Sequence, residues 1–163
     1  EQSLDVSLIE APAKLSGVSG QMCCEDELQV ICTPDYPLAE FNRLTPAELA
    51  DYEFISREPG SGTREITDAY FGHHGVAPDS LKTQMELGSP EALKGVVSTG
   101  LGFAIVSRIV VEKEIRLREL VSIPLAPPLK RGLYLVHPED RFQSRLLSTF
   151  IEFSRRKMKE ITA

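Results

Sequence analysis

Ser56-Arg57-Glu58-Pro59-Gly60-Ser61-Gly62-Thr63-Arg64-Glu65 is the stretch around which this chain is organised. Before it, Tyr52-Glu53-Phe54-Ile55 has the aromatic and β-branched character of a strand; after it, Ile66, Ala69 and Tyr70 recur at helical spacing. The loop therefore joins a strand to a helix. Pro59 and Gly60 turn the chain, and Gly62 removes a Cβ where a ligand would approach the backbone. Ser61 and Thr63 set hydroxyls beside the first N–H groups of the helix, which have no intrahelical acceptor. With the positive end of the helix dipole, these groups make an anion site. The same residues also fit an ordinary Ser N-cap after a Pro-Gly turn, and the local sequence leaves both readings open. Arg57 and Arg64 each offer a two-pronged fork to an oxoanion or carboxylate, while Arg64 equally suits an exposed pair with Asp68 one helical turn on. No Lys follows the glycines as in a Walker loop, and Gly-x-Ser-x-Gly is absent, so neither nucleotide hydrolysis nor a nucleophile elbow is indicated.

The rest of the composition narrows the classes. At 163 residues, 42% hydrophobic and 26% charged, the chain fits one globular domain or two small lobes. It has no apolar run long enough to cross a bilayer and no export signal at its front, so we expect no membrane partner and a cytoplasmic location. A net charge of −6 and a pI near 5.1 argue against this chain itself wrapping a nucleic-acid backbone. Cys23, Cys24 and Cys32 lack a Cys-x-x-Cys spacing and are accompanied by three scattered His, which predicts reduced thiols and no metal site. In a strand, Cys23 and Cys24 would face opposite ways, one buried and one exposed. His73-His74, just before Gly75, suit the negative end of a helix that begins near Ser61. No nucleophile–base pair stands out, so we expect neither catalytic residues nor a cofactor.

Along the chain, Leu4 to Ile9 reads as a strand, Lys14 to Gln21 as a loop, and Met22 to Pro34 as a long extended segment. Thr45-Pro46-Ala47-Glu48 is a capping box that predicts a short helix over Pro46 to Ala50. Beyond the central helix, Thr83 to Leu87 is strand-like. Gly88-Ser89-Pro90-Glu91 is then a second strand-to-helix turn with a Ser cap, its helix burying Ala92, Leu93, Val96 and Val97. Phe103 to Val106 reads as a strand covered on both faces, Ser107 begins a short helix, and Leu120 to Leu125 and Gly132 to His137 are strands. A last helix carries an apolar stripe of Phe142, Leu146, Phe150 and Phe153, with Arg155, Arg156, Lys157 and Lys159 in its final turns. The alternation of strands and helices predicts an α/β domain with a largely parallel sheet.

Several of these stretches, in this order, resemble the effector-binding domain of LysR-type transcriptional regulators. They are Leu4-Asp5-Val6-Ser7-Leu8-Ile9-Glu10, Glu27-Leu28-Gln29-Val30-Ile31 with Pro37-Leu38, and Arg57 to Arg64. Glu86-Leu87-Gly88-Ser89-Pro90-Glu91-Ala92-Leu93-Lys94, Gly100 to Ser107 and Leu133-Tyr134-Leu135-Val136-His137 follow. The resemblance covers essentially the whole chain. It implies an α/β fold like that of type II periplasmic binding proteins, two Rossmann-like lobes joined by two crossing strands around a small effector. The division would be 1–34 for the remainder of the first lobe and the outgoing strand, 35–130 for the second lobe, and 131–163 for the returning strand and the C-terminal helix.

On that resemblance the ligand-facing residues would be Ser61, Gly62 and Thr63, flanked by Arg57 and Arg64, with Gly88, Ser89 and Ser107 at neighbouring strand ends. The expected partner is a small anionic metabolite or oxoanion. DNA would be contacted only through a winged helix-turn-helix that family members carry in front of this region, together with the opening part of the first lobe, so the first lobe here would be incomplete. Family members assemble as dimers or tetramers. A solute-binding protein of a transporter shares the fold and is the alternative reading.

Overall fold

The computed structural model describes residues 4–10, 16–139 and 144–162, and the statements below concern those residues. The chain divides into two units, named here for their place in the sequence. The inner unit is Glu27–Leu129, and the outer unit combines Glu1–Asp26 with Lys130–Ala163.

The inner unit holds the part of β2 (Val18–Cys32) beyond Asp26, followed by α1 (Pro46–Leu49), β3 (Glu53–Arg57), α2 (Gly62–His73) and β4 (Lys82–Leu87). Then come α3 (Pro90–Val97), β5 (Ala104–Ser107), α4 (Glu112–Arg116) and β6 (Val121–Ile123). The capping box at Thr45 forms as its sequence predicts: the Thr45 hydroxyl accepts from Glu48 N at 3.4 Å, and the Glu48 carboxylate accepts from Thr45 N at 2.7 Å. α2 ends where Gly75 takes a φ of +79°, with His74 as the C-cap.

β3 and β4 are parallel, in a register that sets Arg57 opposite Leu87. β3 also runs parallel to the entry of β5, through a bridge between Phe54 and Phe103. Gly102 makes that approach feasible, because a Cβ there would collide with the Glu53 carbonyl. β5 and β6, in contrast, each pair antiparallel to β2. The sheet is therefore mixed, not largely parallel. The physical reason is β2, a strand that leads into the unit against the direction of the strands that follow it.

Alternation along these strands fills two layers. Leu28, Val30, Phe54, Phe103 and Ile105 point to one side, where they meet Tyr70 and Phe71 of α2. Ile31, Ile55, Ala104 and Val106 point to the other, where they meet Leu93 and Val97 of α3 and Val111. Helices on both faces explain why all four residues of β5 are buried. Ala92 of α3 is exposed, contrary to expectation, and Lys94 is buried in its stead. Its ammonium satisfies itself on Glu114 (3.0 Å), Glu91 (2.9 Å) and the Val110 carbonyl (2.9 Å). Burial pulls the Lys94 pKa down, but the bonds to Glu91 and Glu114 outweigh it and push the group above its ordinary value.

In the outer unit, β7 (Leu129–Pro138) lies between β1 (Ser7–Ile9) and β2. Val18 to Gln21 belong to β2 and not to a loop: strand pairing uses backbone groups, so the small and polar residues there are no obstacle. Cys23 and Cys24 are both buried, where one of each was expected, because this part of β2 is covered on both faces, with Leu135, Leu133, Val6 and Met158 nearby. All three cysteines are free thiols, and burial pushes Cys32 up to about 11. α5 (Arg145–Thr162) turns the half-buried Leu147, Ile151 and Met158 inward and leaves Leu146 (81% exposed), Phe150 and Phe153 outward. Two apolar stripes one residue apart run along this helix, and the structure uses the one the sequence reading passed over. Phe142 lies outside the described residues.

Candidate functional site

Three elements of the inner unit end at one edge. β3 stops at Arg57, β4 at Leu87 beside it, and β5, running parallel to β3, at Ser107. Glu58 N donates to the Leu87 carbonyl at 3.2 Å, which fastens the first two ends together. α2 and α3 start immediately beyond, so the Ser61–Thr63 turn, the Gly88–Ser89 turn and Ser107 follow neighbouring strand ends. Carboxyl ends of strands with helix N-termini above them are the usual crevice of an α/β sheet.

The Ser61 turn is built by Gly60, whose φ of +86° belongs to the left-handed region. Ser61 N then donates to the Glu58 carbonyl at 3.2 Å, and the Ser61 carbonyl takes the first helical bond, from Glu65 N at 3.0 Å. Ser61 is thus the N-cap of α2 by position, but its side chain makes no capping bond. It is only 8% exposed, and among the described residues its hydroxyl has no hydrogen-bond partner. Thr63 is buried as well, and its carbonyl accepts from the Thr67 hydroxyl at 2.8 Å.

Ser89 behaves differently. Its hydroxyl accepts from Ala92 N at 3.2 Å and caps α3 in the ordinary way. Ser107 is buried at the end of β5 and makes no side-chain cap.

The two arginines have separate tasks. Arg57 clasps its neighbour Glu58, Nε to Oε2 at 2.8 Å and Nη2 to Oε1 at 3.0 Å. That bond holds the Glu58 carboxyl below its ordinary value. Arg64 is engaged behind the turn: it donates to the Arg57 carbonyl at 3.1 Å and to Glu86 at 2.5 Å, and lies 3.4 Å from Asp68. The bond to Glu86 pushes the Arg64 guanidinium above its usual value. The Arg64–Asp68 pair was legible from the sequence. Glu86 was not, because only the register that sets it opposite Ser56 brings it near. Among the described residues there is no group of His, Cys, Asp or Glu suited to a metal ion.

A family model described as the LysR substrate binding domain matches residues 1–159. The chain belongs to that family. Among its relatives, the RuBisCO operon transcriptional regulator of Acidithiobacillus ferrooxidans is 34% identical over 150 residues, covering 91% of this chain and 48% of that protein. The HTH-type transcriptional regulator YeiE of Escherichia coli K12 is 36% identical over 152 residues, 92% of this chain and 50% of that one. The chain thus spans about half the length of these regulators.

Solved LysR-family regulatory domains share the fold. The CcmR regulatory domain of Synechocystis PCC6803, in complex with 2-PG, superposes with a TM-score of 0.85 at 29% identity, over 98% of this chain and 76% of that one. The effector binding domain of QuiR gives a TM-score of 0.81 at 21% identity, over 96% and 72%. The fold of this LysR domain is the type II periplasmic-binding-protein kind.

Proposed function

We propose that this chain is the effector-sensing part of a DNA-binding transcriptional regulator, and that its effector is a small anion carrying a carboxylate or other oxoanion. The observation that carries the reading is Ser61: a largely buried residue at the first turn of α2 whose hydroxyl makes no capping bond, beside N–H groups that the helix itself does not satisfy. The effector would be held by Ser61, Gly62, Thr63 and Arg57. Gly88, Ser89 and Ser107 border it from adjoining strand ends, and Arg64 braces the turn. That the CcmR domain was solved with 2-PG supports an anionic ligand here. The relatives are regulators, which favours regulation over solute capture.

Control would come from population shift. An anion that binds one conformation of the intact regulator better than another shifts it toward that conformation, by no more than the difference in affinity. DNA contact, and assembly into dimers or tetramers, would belong to the regulator as a whole. Calorimetric titration of the intact protein with 2-PG, inorganic sulfate and inorganic phosphate, paired with a DNA mobility shift, tests this. Saturable binding of one anion that alters the DNA complex supports the reading, and absence of binding by all three contradicts it.

A further inference from the structure

The Arg57 fork beside the turn that would receive an anion is already filled by one of the protein's own carboxylates. Six charged side chains surround it: the cations Arg57 and Arg64, and the carboxylates of Glu58, Glu65, Asp68 and Glu86. Arg64 is held by Glu86, Asp68 and the Arg57 carbonyl. Arg57 is the remaining cation of the set, and Glu58 fills its fork with both oxygens. An incoming anion therefore meets four carboxylates against two cations, and finds the Arg57 fork filled unless Glu58 leaves it.

We propose that Glu58 is an internal competitor for the effector. Its carboxylate occupies the Arg57 guanidinium in the unliganded protein and is exchanged for an oxygen pair of the ligand on binding. The inference rests on the anion-effector reading above and adds a specificity-determining residue to it. Solvent access supports the direction of exchange. The Glu58 side chain is 38% exposed against 16% for Arg57, so the carboxylate is the partner free to swing into water while the guanidinium stays in place.

Chemistry then sets the ligand class. Only a group presenting two oxygens at carboxylate, phosphate or sulfate spacing replaces what the fork loses, because a guanidinium donates two parallel bonds. A spherical anion such as chloride does not. Glu58 thereby raises the threshold for weak anions without blocking a ligand that matches its geometry.

The test is a double-mutant cycle on the intact protein, titrating 2-PG, inorganic sulfate and inorganic phosphate by calorimetry with thermal unfolding alongside. Glu58→Gln removes the competing charge at the same size, and we expect the anion that binds to bind about fivefold tighter, the order of an exposed ion pair. Arg57→Gln weakens binding, and in that background Glu58→Gln gives no gain. A fall or no change in affinity on Glu58→Gln, or an equal gain with and without Arg57, overturns the proposal. In either case wild-type binding that still depends on Ser61 leaves the effector reading standing. Absence of binding to both wild type and Glu58→Gln overturns both.

Discussion

Two strand-to-helix turns in the inner unit each place a serine one residue before a helix, after neighbouring parallel strands, and they treat that serine in opposite ways. Ser89 lends its hydroxyl to Ala92 N and closes the first turn of α3. Ser61, equally placed before α2 and buried, does not. α3 is further secured by Lys94, which ties its second turn to Glu114 of α4. α2 is braced instead by Arg64, which reaches outside the helix to Glu86 and the Arg57 carbonyl. One turn is closed by its own side chains. The other is braced from behind by Arg64, and its serine hydroxyl makes no cap.

The largest effect should come from emptying the open turn. Replacing Ser61→Ala and Thr63→Val together removes two hydroxyls while keeping the backbone N–H groups. Each hydroxyl bonded to a charged ligand contributes about 1.5–3 kcal/mol, so effector affinity should fall roughly a hundredfold or more by calorimetry, without vanishing. A loss under about tenfold would mean that the backbone does the binding.

The closed turn should break in stability instead. Lys94→Met strands the Glu114 carboxylate, whose Oε2 already lacks a hydrogen-bond partner, and should cost about 2 kcal/mol in denaturant unfolding. This lies below the usual figure for a buried pair, because Lys94 also bonds the exposed Glu91, where water competes. Effector affinity should stay within about threefold of wild type. Acid sharpens the point. The bond to Lys94 lowers the Glu114 pKa from about 4.5, so its stabilisation is full above that pH and is lost as pH falls through the lower folded value. Wild type should therefore lose stability below about pH 4.5 more steeply than Lys94→Met, and parallel acid curves would show that the pair contributes nothing.

How far the sequence carried these conclusions depends on the range of the interaction. The capping box at Thr45, the Ser89 cap, the end of α2 at Gly75 and the Arg64–Asp68 pair are all local, set within four residues, and each was legible. Whether the sheet was parallel and whether Cys23 and Cys24 were both covered depended on partners far along the chain, and those readings failed; which stripe of α5 turns inward depends on such partners too. The burial of Lys94 was not legible for the same reason: Glu114 lies twenty residues on and meets it only once α3 and α4 pack. At the candidate site the loop was plain from its Gly, Pro and Ser residues, yet sequence left Ser61 as cap or ligand contact. Local rules favour the cap, and only the folded turn shows a hydroxyl withheld from it.

The most direct measurement sets the two serines side by side. Ser61→Ala and Ser89→Ala, each in the intact protein, are titrated with the effector and unfolded by heat. Ser89→Ala should cost about 1 kcal/mol, a fall in melting temperature of roughly 2–4 °C, with affinity nearly unchanged. Ser61→Ala should weaken binding roughly tenfold or more and leave the melting temperature within about 1 °C. If Ser61→Ala instead lowers stability as Ser89→Ala does and binds its anion like wild type, Ser61 is a helix cap and the two turns are alike.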